Sequence, residues 1–341
     1  MQKLFIKAFS FLIGLTIIFN LIGTLADEVA PLDDWRNEHQ AKVANLQVKR
    51  DRIEAVTLGN SHSDSINYSV LEIEGQSLAF AAADLFEIES YGISLENKLP
   101  TLKTVFITIS YYSFSRDNAT FEPFRTRRIG FYSMAPTWSP IHGDLLIFLL
   151  GKLDAITHIM SVVRSDSWKG VWIGLANDTP AVDSFPYDGV RTDSVWGDCF
   201  HYTEEQLETH AKEIARRNVS SSRQMANAHP GLVQDASDAL ARTIERFHSR
   251  GIQVILFTPP YYQKYNLFFA EQGSDIIEDM RRTVYNLQQS YHVKYYDFSG
   301  DSDITIYPDL FYNSDHLSEC GTRVFTKKLL DVMRANGDVD K

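Results

Sequence analysis

Cysteine is nearly missing from this chain of 341 residues: there are two, Cys199 and Cys320. That excludes a disulfide-rich scaffold and any zinc site built on several cysteines. The two could pair in an oxidising compartment or remain buried thiols, and the sequence leaves both readings open. Basic clusters are missing as well. The net charge is −11 and no long block of Lys and Arg stands out, so no nucleic-acid partner is expected. The 10 histidines form no HExxH or other compact ligand set, so no metal is expected. No GxGxxG or GxxxxGK[ST] pattern occurs, which leaves nucleotide binding without support and no cofactor implied. Repeats and low-complexity stretches are absent. With 44% hydrophobic and 23% charged residues, the composition is that of a globular chain.

The single long apolar run lies at the N-terminus. Lys3 and Lys7 precede an uncharged stretch from Ala8 to Leu25, which Asp27 and Glu28 close. About 18 to 20 apolar residues suffice to cross a bilayer as a helix. Residues 1–26 are therefore expected to be a single-pass anchor in the cytoplasmic (inner) membrane. The basic flank then stays inside, and the rest faces the periplasm or extracellular side. A signal peptide cut after Thr24-Leu25-Ala26 is the rival, which would secrete the body; a buried core helix is the third reading. Leu145–Leu150 is equally apolar but too short to span.

Residues 27–48 are polar and read as a stalk. Residues 49–341 then alternate strand and helix patterns. Ile53–Leu58, Thr104–Ser110 and Ile252–Phe257 are short apolar or β-branched runs of the buried-strand kind, and Val293–Phe298 is also expected to be a strand. Helices are expected over Ala81–Asn97, from an N-cap at Thr203, over Leu232–Arg250 up to Gly251, over Ser274–Tyr291 and over Ser318–Arg334. An irregular, Pro- and aromatic-rich insertion is expected at about 115–200. This alternation predicts an α/β fold with a mostly parallel sheet, whose active groups gather beyond the carboxyl ends of the strands.

Two loops satisfy that rule. Gly59-Asn60-Ser61-His62-Ser63 directly follows the first strand, where a tight turn can expose the Ser61 hydroxyl and present backbone N–H groups to an oxyanion. Asn313-Ser314-Asp315-His316-Leu317 precedes the last helix, where His316 could take the serine proton and return it. Each loop alone also reads as an ordinary turn, with His316 a helix cap. His62 reads as a pocket wall or as a structural or surface residue, and Asp64 as complementing a helix dipole. Tyr111, Tyr112 and Phe114 read as core or as a sugar-stacking platform, and Pro259-Pro260-Tyr261-Tyr262 as a site wall.

VTLGNSHS and LFYNSDHLSECG, in this order, resemble the first and last blocks of the SGNH/GDSL hydrolase superfamily, in particular its exported, membrane-anchored bacterial branch. SLAFAAADLFE, LKTVFITISYYSF and GIQVILFTPPYY are similar to it too, so the resemblance covers about residues 50–335. It implies a three-layer α/β/α sandwich, with Ser61 as nucleophile and His316 as general base. The family's aspartate three residues before the histidine is Asn313 here, which leaves Asn313, Asp315, Asp297 or Asp309 as third member, or a bare dyad. Its second-block glycine is matched by Ala82 or Ala83. Its third-block asparagine has no counterpart, and Ser110 or a tyrosine would substitute. Gly59, Asn60, Ala82 and Ser110 are thus the expected oxyanion and substrate-binding positions. The implied activity is ester hydrolysis or O-acyl transfer on an acylated glycan or polysaccharide, within reach of a membrane-bound acyltransferase complex. The alternative is an inactive glycan-binding or scaffold protein.

Overall fold

The computed structural model describes residues 42, 45–46, 48–95, 98–120, 125, 128–132, 145–157 and 202–339. Two compact units are distinguished, one of residues 1–40 and 122–185, the other of Ala41–Phe121 and Pro186–Lys341. The expected anchor, most of the insertion and Cys199 lie outside the described residues. Among the described residues, no helix is long and apolar enough to cross a membrane.

The second unit carries a parallel sheet of five strands: β1 (Ala55–Leu58), β2 (Gly75–Ser77), β3 (Thr104–Thr108), β4 (Gln253–Thr258) and β5 (Lys294–Asp297). Their order is β2-β1-β3-β4-β5, and every neighbouring pair runs parallel. β1 continues to β2 on one side and lies against β3 on the other. The strand order therefore reverses at the carboxyl ends of β1 and β3, which is where doubly wound sheets open a binding crevice. Helices among the described residues include α1 (Tyr68–Leu71), α2 (Leu85–Leu95), α3 (Leu145–Thr157, in the first unit), α4 (Glu204–Ala228), α5 (Leu232–His248), α6 (Gln263–Tyr291), α7 (Ser302–Thr305) and α8 (Glu319–Ala335).

Helices cover both faces of the sheet, and strand periodicity sorts the core between them. Ala55, Phe106, Ile255 and Phe257 share one face with Ile66, Tyr68 and Leu71 and with Phe325, Leu329 and Met333 of α8. The other face carries Val56, Leu58, Val105, Ile107, Val254 and Leu256, all buried. There α5 packs on β4 and α2 packs on α5. Near-continuous apolar strands are what a sheet covered on both sides requires. A separate antiparallel ribbon pairs β6 (Phe311–Asn313) with β7 (His316–Leu317).

Local chemistry sets the helix starts. Thr203 caps α4 in a full capping box with Gln206. α2 begins at Leu85, not Ala81, because Asp84 and Glu87 exchange side chain–backbone hydrogen bonds, each 3.0 Å. The preceding residues close a turn instead, Ala83 N–H donating to Phe80 O at 2.9 Å. Ala82 adopts a φ of 60°, the left-handed value that the third position of a type II turn demands. α6 begins at Gln263, ahead of the expected Ser274, and bends at Gly273. The unit also reaches further back than expected: Lys42 and Leu46, at the end of the expected stalk, are buried in it.

In the first unit, Tyr132 meets Phe148 of α3 edge-on at 5.3 Å. Leu145, Leu146 and Leu149 of that helix are exposed.

Candidate active site

Gly59 ends β1 with a φ of 146°, and a Cβ there would stand 2.2 Å from the Ser63 hydroxyl oxygen. Only glycine admits so tight a strand exit. The chain then enters a 3₁₀ turn over Ser61–Ser65, capped by Asn60, whose Oδ1 accepts from His62 N–H at 3.0 Å. Ser61 is thereby the first residue of the turn, partly exposed at the carboxyl end of β1.

The β6–β7 ribbon delivers His316 to the same place. Asn313 pairs with His316 across the ribbon, with Ser314 and Asp315 at its tip. Asn313 Oδ1 accepts from the backbone N–H of Asp315 at 3.2 Å and of His316 at 3.0 Å, so it shapes the tip. Ser314 fastens the tip to the body: its hydroxyl bonds His210 Nδ1 of α4 at 2.8 Å, and its carbonyl accepts from Tyr262 N–H at 3.1 Å.

His316 Nε2 lies 2.7 Å from Ser61 Oγ. His316 Nδ1 lies 2.9 Å from Asn313 Oδ1 and 3.2 Å from Asp315 Oδ1. The other carboxylate oxygen, Oδ2, lies 3.3 Å from His62 Nε2. His62 Nδ1 lies 2.7 Å from Ser110 Oγ, which accepts from Asn60 Nδ2 at 3.0 Å. An ionised carboxylate only accepts, so both rings donate to Asp315, and one direction then satisfies the whole chain. Asn60 donates to Ser110, Ser110 to His62 Nδ1, His62 Nε2–H to Asp315, His316 Nδ1–H to Asn313 and Asp315 together, and Ser61 to His316 Nε2.

Asp315 is buried, which works to raise its carboxyl. The charge and hydrogen bonds of His316 and the bond from His62 outweigh this and hold it well below the usual carboxylate range. In His62, burial pushes the ring down, against the bond to Asp315, and so favours the neutral form. His210 is likewise pushed down, first by burial.

The cleft over Ser61 is walled by Pro259, Pro260 and Leu317, with His62, Asp64 and His316 also lining it. Asp64 pairs with buried Lys42 at 3.2 Å, a partner its expected dipole role did not include. Gly59, Asn60, Ala82 and Ser110, expected near an oxyanion, are all outside this lining, and the side chains of Asn60 and Ser110 bond each other and His62. Ala83 spends its N–H on the Phe80 turn, whereas the N–H groups of Ser61 and Ala82 have no partner among the described residues. Asn118 Nδ2 holds the Ala82 carbonyl at 3.0 Å. Asp297 accepts from Ser299 at 2.6 Å, and neither it nor Asp309 bonds His316. Tyr111, Tyr112 and Phe114 are buried, so they form no exposed sugar platform.

Among the described residues, the donor atoms of His62, Asp315 and His316 lie within 4.8 Å of one another, close enough to hold a metal ion. The hydrogen bonds above already account for this cluster. Cys320 is disulfide-bonded, and the only other cysteine is Cys199.

His62, which the sequence reads as a pocket wall or as a structural or surface residue, is buried and lines the cleft. Its one signal in the sequence is position, directly after Ser61.

No family model matches this chain, and no curated protein matches it.

Proposed function

We propose that this protein is an SGNH-type acyl-transfer enzyme working through an acyl-Ser61 intermediate. The 2.7 Å contact between Ser61 Oγ and His316 Nε2, with a carboxylate behind the ring, carries this reading. His316 takes the Ser61 proton as Oγ attacks the ester carbonyl carbon. The tetrahedral intermediate collapses, its C–O bond to the alcohol breaks, and the alcohol leaves with the proton from His316. Water or a sugar hydroxyl then gives its proton to His316 and attacks the acyl carbon, the bond from that carbon to Ser61 Oγ breaks, and His316 returns the proton to Oγ. Asp315 balances the imidazolium in both steps, and the N–H groups of Ser61 and Ala82 are the oxyanion donors.

An exported, acylated polysaccharide is the proposed substrate class. It is supported by the apolar run Ala8–Leu25, which would hold the chain at the cytoplasmic membrane with its body outside, and by the disulfide at Cys320, which suits an oxidising compartment. A membrane-bound acyltransferase would supply the acyl group in the transferase variant. One observation favours the rival glycan-binding scaffold: Ser110 is committed to His62 and Asn60 and leaves no side-chain oxyanion donor at that position.

The test is hydrolysis of p-nitrophenyl acetate and labelling by a fluorophosphonate. Both are expected in the wild-type protein and lost in Ser61→Ala and His316→Ala. Folded wild-type protein that neither hydrolyses the ester nor takes the label would hand the site to the scaffold reading.

A further inference from the structure

Two imidazoles share one carboxylate at this site, and the reaction as written uses only one of them. His62 is 3% exposed, and both of its ring nitrogens are spent on protein partners, Ser110 and Asp315. It therefore has no nitrogen left for a substrate. Its ring centroid lies 4.7 Å from that of His316, so two imidazolium charges would repel strongly there.

We propose that His62 is a positioning residue that tunes His316 through Asp315: its Nε2–H fixes Asp315 Oδ2, aims Oδ1 at His316 Nδ1, and moderates how strongly the carboxylate favours imidazolium. This rests on the acyl-transfer reading and assigns a function to the second histidine of the same site. A carboxylate that accepts two hydrogen bonds concentrates less charge on either donor than one that accepts a single bond. Removal of the His62 donor therefore leaves Asp315 to act on His316 alone, and His316 becomes the more basic. The neutral ring lets Nδ1 accept from Ser110 and adds no second positive charge beside His316, and burial against Tyr112 and Tyr261, whose rings stand edge-on at 6.2 and 5.2 Å, favours it.

The other groups bearing on this pair are known. Arg116, above the Tyr112 ring, opposes protonation of His62. His210 of α4 sits behind Ser314, with Arg217 and Glu213 acting on it. Asp64 faces the cleft paired with Lys42. The Tyr261 hydroxyl, 3.4 Å from His62 Nδ1, is the remaining polar neighbour of the ring, on the side of Ser110 and away from Asp315 Oδ2.

Two amide substitutions separate its two ring nitrogens. His62→Gln keeps a donor near the Nε2 position and so the bond to Asp315. His62→Asn keeps an acceptor near the Nδ1 position for Ser110 and loses the donor. In the full-length protein, the rate of Ser61 labelling by a fluorophosphonate is measured against pH, and the His316 ring is titrated by NMR with labelled histidine. His62→Asn is expected to label roughly tenfold to a hundredfold more slowly, as for a misplaced catalytic group. Its labelling profile and its His316 ring titration should both move to higher pH, and His62→Gln should restore both. A structural role alone would lower the rate without moving either curve. Equal behaviour of the two variants, or an unmoved His316 titration in His62→Asn, overturns the proposal. An unlabelled wild-type Ser61 beside a shifted His316 titration would support the coupling and overturn the acyl-transfer reading instead.

Discussion

Nε2 of His316 lies 2.7 Å from Oγ of Ser61 across 255 positions of sequence. Two independent pieces of backbone make that contact. The glycine exit from β1 raises Ser61 above the sheet edge, and the β6–β7 ribbon hangs His316 over it. Ser314 clamps the ribbon tip to α4 and to the Tyr262 backbone, so the contact is fixed from both sides.

Behind the ring, orientation and charge are divided between two residues. Asn313 Oδ1 accepts from His316 Nδ1 and from two backbone N–H groups, whereas Asp315 brings the negative charge. Asp315→Asn removes the charge but leaves Asn313 to hold the tautomer. Its activity on p-nitrophenyl acetate is expected to fall about 10- to 100-fold, short of the ~10⁴-fold loss that follows when the tautomer is no longer held. The double variant Asn313→Ala/Asp315→Asn should approach that larger loss, more than the product of the two single effects. A double variant no worse than Asp315→Asn alone would show that Asn313 only shapes the ribbon.

Ala82 offers a stability test beside the site. Its φ of 60° places a Cβ where L-residues are strained by about 1–2 kcal/mol. Glycine relieves that strain and returns part of the gain as unfolded-chain entropy. Ala82→Gly is therefore expected to raise unfolding stability by about 0.5–1 kcal/mol in urea, and Ala82→Val to lower it. Ala82→Gly that loses stability would mean the turn is not strained in solution.

Much of the scaffold was legible because burial on both faces writes strands as apolar runs. Ile53–Leu58, Thr104–Ser110 and Ile252–Phe257 each overlap such a strand to within two residues at either end, and Val293–Phe298 overlaps the partly exposed edge strand β5 to within one. β2, Gly75–Ser77, is three residues of small or polar type, and no periodicity exists in so short a segment. Ala81–Asn97 promised a longer helix than forms, because three alanines favour helix locally while the Asp84–Glu87 box and the Phe80 turn set the start at Leu85. The loops bearing Ser61 and His316 were recognisable from residue type and place. The direction of Asp315 was not, since it depends on a two-residue ribbon tip and on His62, whose burial no local pattern announces.

His229 gives a pH test away from the cleft. It caps the end of α4, with Nδ1 3.0 Å from Asp117 Oδ2 and Nε2 2.7 Å from Asp235 Oδ2. Both nitrogens face carboxylates, so only the protonated ring satisfies both partners. Burial pulls the ring down, but the bonds and charges of Asp117 and Asp235 together prevail and raise it above the ordinary histidine value. A raised folded-state pKa means stabilisation that is complete below the unfolded value of about 6.5 and fades as pH rises through the folded one. The stability difference between wild type and His229→Gln in urea should accordingly be larger at about pH 5.5 than at about pH 9. Because the ring joins the loop after β3 to the first turn of α5, hydrogen exchange in those two segments should speed up in the wild-type protein as the ring loses its proton. A stability difference that stays constant between the two pH values would mean that His229 is held there as a neutral ring, with one of the two carboxylates left to water.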